Sequence, residues 1–273
     1  MIDATRLVLI PSYNTGPKLI ETVREARSAW APVWVVLDGS TDGSGALLRA
    51  AFAEDPALRV FELPENGGKG AAVLHGLRIA EEAGFTHVLT MDADGQHPAG
   101  CIPSFMEASL ANPGALILGL PIFGDDAPLL RVRGRRISNW WAELETLHAG
   151  IGDSLFGFRV YPVAALRGVM ERTRWMRRFD FDPEAAVRLC WQGYRPVNLP
   201  APVRYLRQDQ GGVSHFRYGR DNLLLTAMHV RLMLGMLARL PLLAWRRRRH
   251  HAQREGGSNP VTRQSSGPRP QSS

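Results

Sequence analysis

Asp92 and Asp94 stand one residue apart at the end of a short apolar run and are followed by Gln96 and His97. If the extended geometry of the run persists, alternate residues share a face, and the two carboxylates lie within a few ångströms of each other. Like charges at that spacing are unfavourable unless a cation or a proton intervenes. Hard oxygen donors beside an amide suit Mg2+ or Mn2+, which keep part of their water and bridge substrate phosphates. The plainer alternative for an isolated Asp-x-Asp is a solvated acidic turn. Spacing excludes calcium. An EF-hand loop opening at Asp38 would carry Arg49 where the bidentate Glu belongs, and one opening at Asp92 would carry Pro103 there.

Three further turns hold residues of the same kind: Pro11-Ser12-Tyr13-Asn14, Asp38-Gly39-Ser40-Thr41-Asp42-Gly43 and Asn66-Gly67-Gly68-Lys69-Gly70. The last fails as a Walker A loop, because no Ser or Thr follows Lys69 and the upstream Gly is missing. It reads as a glycine turn feeding a helix N-terminus with one cation, an arrangement that can receive an anion. The four turns close β-rich runs at 6–10, 33–37, 59–63 and 87–91, and a fifth run lies at 115–118. Helical stretches fall between them, at 18–28, 44–53, 69–83 and 102–111. Strand–helix alternation with continuously apolar strands predicts an α/β fold, a mostly parallel central sheet flanked by helices. In such a sheet ligands bind beyond the carboxyl ends of the strands, where all four turns lie.

Beyond the fifth run, a helix predicted over 131–150 carries Arg131, Arg133, Arg135 and Arg136. Next come Asp153-Ser154-Leu155-Phe156-Gly157-Phe158-Arg159 and Phe179-Asp180-Phe181-Asp182-Pro183-Glu184, then a helical run to Trp191 ended by Gly193. The stretch 222–245 is rich in Leu and Met and precedes four arginines, Arg246 to Arg249. It is long enough to span a bilayer, for which about 20 residues suffice. It contains His229, Arg231 and Arg239, however, and Pro241 is expected to break it. An interfacial helix fits better, its Leu/Met face in lipid and its arginines toward anionic headgroups. An ordinary helix packed on the domain is the alternative.

In their order and spacing, the four turns resemble those of the inverting family 2 glycosyltransferases of GT-A fold. The similarity is nearest to the branch of dolichyl- and polyprenyl-phosphate sugar synthases. It continues through Asp153…Gly157-Phe158-Arg159, Phe181-Asp182-x-Glu184 with Gly193 beyond, and Gly212-Val213-Ser214-His215, covering about residues 6–220. The resemblance implies that Pro11, Tyr13, Asn14 and Asp38 hold the base and ribose of a nucleotide-sugar, with Gly68 and Lys69 close by. Asp92, Asp94 and Gln96 would hold Mg2+ or Mn2+ on the diphosphate. Arg133, Arg136 and Arg159 would bind phosphates, and Asp182 and Glu184 would lie near the acceptor, with Ser214 and His215 on the same side. The chain departs from the family pattern at Leu37, where a second Asp is frequent, at Leu120-Pro121 in place of Ser-Arg, and at His215 in place of Lys.

Composition agrees with an enzyme of this size. A chain of 273 residues that is 45% hydrophobic and 22% charged is neither disordered, collagenous nor coiled-coil. The net charge of +7 resolves into about −3 for residues 1–202 and +10 beyond. A basic nucleic-acid groove in the core is thereby disfavoured, and an anionic membrane surface met by the C-terminus is favoured. Cys101 and Cys190 are too few for a disulfide scaffold, so a reducing compartment is expected. No signal peptide is expected. The division is then a catalytic domain over 1–220, an amphipathic basic segment over 221–251 and a disordered tail over 252–273. The expected activity is metal-dependent transfer of a sugar from a nucleotide-sugar to a lipid, at the cytoplasmic face of the plasma membrane. A hydroxyl acceptor requires a carboxylate base, for which Asp182 or Glu184 serves. A phosphate acceptor is already anionic and requires cations instead. The alternatives are a sugar-phosphate nucleotidyltransferase, whose N-terminal Gly-rich loop is missing here, and a non-catalytic nucleotide-sugar or lipid-binding protein.

Overall fold

Strands β1 (Arg6–Ser12), β2 (Val33–Asp38), β3 (Leu58–Leu63) and β4 (His87–Thr90) pair in parallel, in the spatial order β3-β2-β1-β4. β1 and β2 are buried along their whole length, as parallel strands covered on both faces must be. Their side chains alternate between two cores. Leu7, Leu9, Trp34 and Val36 face one, and Val8, Ile10, Val33 and Val35 face the other. The second core is covered by α1 (Lys18–Ala29), α2 (Ser44–Ala51) and α4 (Ile102–Ala111). The first is covered by α3 (Lys69–Glu82), α6 (Val163–Glu171), α7 (Phe181–Gln192) and α8 (Tyr218–Gly256), with Ala142 from α5 (Leu129–Glu145).

In this computed structural model, residues 5–124, 134–204 and 219–248 are described with side chains, and 129–133, 218 and 249–256 by their backbone. Among the described residues the sheet has seven strands, ordered β3-β2-β1-β4-β6-β5-β7. β6 (Arg159–Pro162) runs antiparallel to both β4 and β5 (Ala115–Phe123), and β7 (Arg195–Val203) closes the edge parallel to β5. The sequence pattern shows neither β6 nor β7. β7 contains Pro196, Pro200 and Pro202, which remove ladder donors and are tolerated here because the strand has one free side.

The α8 helix corrects two expectations. It continues through Pro241 instead of breaking there, with Pro241 on the exposed face, and the helix runs for 39 residues. Three of its arginines turn onto the domain rather than away from it. Arg231 pairs with Glu184 of α7 at 2.5 Å, Arg239 lies over the Trp191 ring at 4.9 Å, and Arg246 donates to the Trp191 carbonyl. Met228, Leu232, Met236 and Leu243 are buried beneath it. The outward stripe, at spacings of seven, four, three and eight residues, is apolar: Leu223, Val230, Leu234, Leu237 and Trp245 are all about half exposed or more. The span Gly219–Arg248 is long and apolar enough to cross a membrane by length and composition, though one face of it is packed on protein.

Candidate active site

The β4 strand delivers Asp92 to the cleft, and the chain then turns through Gly95, where φ is +75°. His97 anchors this turn. Its Nδ1 accepts the Asp92 amide at 2.9 Å, its Nε2 lies 3.5 Å from Asp92 Oδ2, and its ring packs edge-on against Phe156 and Phe158. Burial lowers the His97 pKa to about 4, so the ring is neutral and its acceptor nitrogen is fixed. His97 was visible in the sequence as part of the motif but carried no assigned role there. Its signal is a ring nitrogen placed to accept a backbone amide.

Lys69, the first residue of α3, reaches across the cleft. Its Nζ is 2.6 Å from Asp92 Oδ1 and 2.6 Å from Asp182 Oδ2. Burial alone would lower its pKa, but the two carboxylates outweigh that and hold the ammonium above the usual lysine range. Burial likewise opposes ionisation of Asp92, yet Lys69 brings that carboxyl down to about 2. Asp94 is in the opposite position. Its Oδ1 accepts the Gln96 amide at 3.0 Å, and burial together with the charge of Asp92 pushes it up, to about 6.

No group of three or more His, Cys, Asp or Glu side chains among the described residues could hold a metal alone. The donor set nevertheless fits Mg2+ or Mn2+. These ions are commonly held by one or two carboxylates together with substrate phosphates, and Asp94 is a carboxylate destabilised by its neighbour Asp92.

Around this centre the remaining expected residues divide into those at the cleft and those that build it. Pro11 is buried in β1, and Tyr13 and Asn14 follow it half-buried. Asn14, at φ +46°, accepts the Thr41 amide on Oδ1, which ties the first turn to the second. Asp38 is 2% exposed and accepts the Gly67 and Gly68 amides at 2.9 and 2.7 Å, so it shapes the 66–70 turn. The first amides of α3 are also in use: Gly70 and Ala71 donate to the Arg177 carbonyl. The approach that Gly68 permits is to this same carbonyl, which a Cβ at that position would strike.

Arg159 and Glu184 are likewise engaged within the protein. Arg159 is fully buried and donates to Tyr161 Oη and to the carbonyls of Asp182 and Asp153, at 3.0, 2.6 and 2.9 Å. It positions the Asp182 backbone. Glu184 is fully buried, with one oxygen on Arg188 at 2.7 Å and the other on Arg231 at 2.5 Å. It joins α7 to α8. Arg136 does face a cavity, of about 260 Å³, lined also by Leu120, Pro121, Phe123, Arg135, Asn139 and Asp153. Arg135 contributes a second guanidinium there, bound to Asp153 at 2.6 Å and 5.4 Å from the centre of the Phe123 ring. Arg133 belongs to α5 by its backbone, and Ser214 and His215 lie outside the described residues.

A sheet of this order with an Asp-x-Asp turn at the end of its fourth strand can be compared with known proteins. The family model described as "Glycosyl transferase family 2" matches residues 7–170. The chain belongs to that family. Its relatives include the undecaprenyl-phosphate mannosyltransferase of Micrococcus luteus, 28% identical over 75% of this chain and 85% of that one. The polyprenol monophosphomannose synthase of Mycolicibacterium smegmatis is 27% identical over 71% of this chain and 75% of its own length. Among solved structures, glucosyl-3-phosphoglycerate synthase from Mycobacterium tuberculosis, in complex with Mn2+, UDP and glucosyl-3-phosphoglycerate, superposes with a TM-score of 0.55. That match covers 85% of this chain and 78% of the other at 18% identity, and it establishes the GT-A fold. The family 2 chain described here is therefore a glycosyltransferase, which sets the nucleotidyltransferase and non-catalytic readings aside.

Proposed function

We propose that this glycosyltransferase transfers a sugar, with inversion and in a metal-dependent reaction, from a nucleotide-sugar to the phosphate of a polyprenyl phosphate at the cytoplasmic face of the membrane. One observation carries the choice of acceptor: both carboxylates that could act as a base are neutralised by cations. Asp182 is paired with Lys69, and Glu184 with Arg188 and Arg231. A sugar or lipid hydroxyl needs a base to take its proton, whereas a phosphate oxygen arrives anionic. Such an acceptor needs positive charge beside an apolar wall. The cavity at Arg135 and Arg136, walled by Leu120, Pro121 and Phe123, provides both. The names of the two polyprenyl-phosphate relatives support the same reading.

In this scheme an acceptor phosphate oxygen attacks the anomeric carbon from the face opposite the nucleotide. The bond from that carbon to the diphosphate breaks, and its electron pair leaves with the nucleoside diphosphate. Asp94, with Asp92, would hold a divalent cation, which when bound would supply positive charge to the diphosphate leaving group. Lys69 keeps positive charge between donor and acceptor, and His97 fixes the backbone at Asp92. Arg135 and Arg136 orient the acceptor phosphate.

The membrane reading rests on α8. Its exposed apolar stripe would lie in the interface, with the catalytic domain packed above it and Arg247 and Arg248 exposed at its end. The test of the acceptor is a comparison of variants on polyprenyl phosphate. Asp182→Asn should keep activity to within about tenfold, while Arg136→Met should lose far more. A loss of about 100-fold or more at Asp182→Asn, the scale of a general base, would favour a hydroxyl acceptor.

A further inference from the structure

We propose that Lys69 is the internal cation of the active site: it bridges Asp92 and Asp182 and yields Asp92 when a divalent cation loads there, keeping its hold on Asp182. The proposal rests on the donor reading given above and adds an order of events to it.

The position of the ammonium is built rather than incidental. Nζ stands 2.6 Å from one oxygen of each carboxylate. A Cβ at Gly157 would collide with Nζ and crowd both Asp92 oxygens, so the absence of a side chain at 157 leaves the space that Lys69 fills. The Phe181 ring closes a further side, its centre 6.0 Å from Nζ. The backbone beneath is anchored, since the α3 amides at Gly70 and Ala71 are closed by the Arg177 carbonyl. The ammonium thus sits between the two aspartates, within 2.6 Å of each.

A divalent cation on Asp92 and the Lys69 ammonium are like charges competing for one carboxylate. Their binding is linked, and the linkage is reciprocal: whatever removes Lys69 must strengthen the cation, and the cation must loosen Lys69. When Asp92 is taken, Asp182 remains as the partner of Lys69. The positive charge then rests on the carboxylate beside the acceptor. For an anionic acceptor this cancels a repulsion at the moment the donor is in place, which favours loading of donor before acceptor.

The experiment measures Mn2+ binding to the nucleotide-free protein by the electron paramagnetic resonance of free Mn2+. Lys69→Met, which keeps the stem and removes the charge, should bind Mn2+ about tenfold tighter or more than the wild type, the scale of one pKa unit of charge interaction. Lys18→Met, which removes a positive charge paired with Glu21 on the surface, should leave the affinity unchanged. A role confined to structure predicts weaker binding, never tighter. Circular dichroism checks folding. If Lys69→Met does not fold, Lys69→Gln removes the same charge while keeping a polar end, and binding should tighten in the same direction. Unchanged or weaker Mn2+ binding in the folded variant overturns the proposal. If the wild type still binds UDP or GDP more tightly with Mn2+ while Lys69→Met shows no gain, the donor reading stands and the role of Lys69 falls. If Mn2+ has no effect on nucleotide binding in the wild type, both fall.

Discussion

Four donors converge on the buried carboxylate of Asp153: the Leu155 and Phe156 amides, the Arg135 guanidinium and the Asn139 amide. The residue is thus a joint between α5 and the turn that delivers Gly157 and Arg159. Asp153→Ala would leave Arg135 without its counter-ion and two amides without an acceptor. A loss of about 2–4 kcal/mol in chemical denaturation is expected, the range for breaking a buried, charged hydrogen-bond network. Asp94 is the contrasting case, because it accepts the Gln96 amide and its charge is opposed by Asp92. Asp94→Ala should abolish turnover with little change in Tm, and nucleoside diphosphate binding should lose its sensitivity to Mg2+ or Mn2+. Full-rate turnover in excess EDTA would sink the metal assignment. At this scale the sequence showed what lies close along the chain. Asp92, Asp94 and His97 share one short turn. The Lys69–Asp182 contact joins residues 113 apart and needs the fold to be seen. The full burial of Arg159 and Glu184 was not legible for another reason: charged residues are rarely fully buried, and such partners as Asp182 and Arg231 are far away along the chain.

Among the elements, the four β-rich runs before residue 92 were legible because continuous apolar strands and glycine turns leave strong signals. β7 was not, since its three prolines look like loop and its edge position is a property of the sheet. β6 is only four residues long, and the chain reverses there, which periodicity does not register. The α8 helix was legible as apolar and basic, but which face does what was not. Leu232 is buried against the domain while Leu234 is 64% exposed, two residues away. Leu232→Ala is expected to cost about 2–5 kcal/mol, the usual range for a core Leu. Leu234→Glu should leave stability within about 0.5 kcal/mol, as surface substitutions do, while reducing co-sedimentation with vesicles. Equal vesicle binding by Leu234→Glu and the wild type would mean that the exposed stripe does not meet lipid. Because Trp191 and Glu184 lean on α8, deleting the helix should expose core surface and cause aggregation rather than release a tidy soluble domain.

Over the whole molecule, charge and apolar surface are segregated. The first 202 residues carry a small net negative charge and the remainder about +10. With the outward stripe of α8, this asymmetry supports the proposed membrane contact through α8. Binding to anionic vesicles should fall with salt, as screened attraction does, and should exceed binding to neutral ones. Resistance to both salt and carbonate would indicate a spanning helix instead. In the proposed scheme the donor would lie at the strand ends beside Lys69 and Asp92, and the acceptor at the cavity of Arg135 and Arg136. The most direct test is to incubate the purified protein and Mn2+ with a panel of UDP- and GDP-sugars and either polyprenyl phosphate or the parent polyprenol, and to analyse the lipid by mass spectrometry. The expected result is a polyprenyl-phosphate sugar, of anomeric configuration opposite to the donor, formed from one or a few donors, lost in EDTA and absent with the polyprenol. Sugar transfer to the polyprenol but not to the phosphate, or transfer that persists in EDTA, would contradict it.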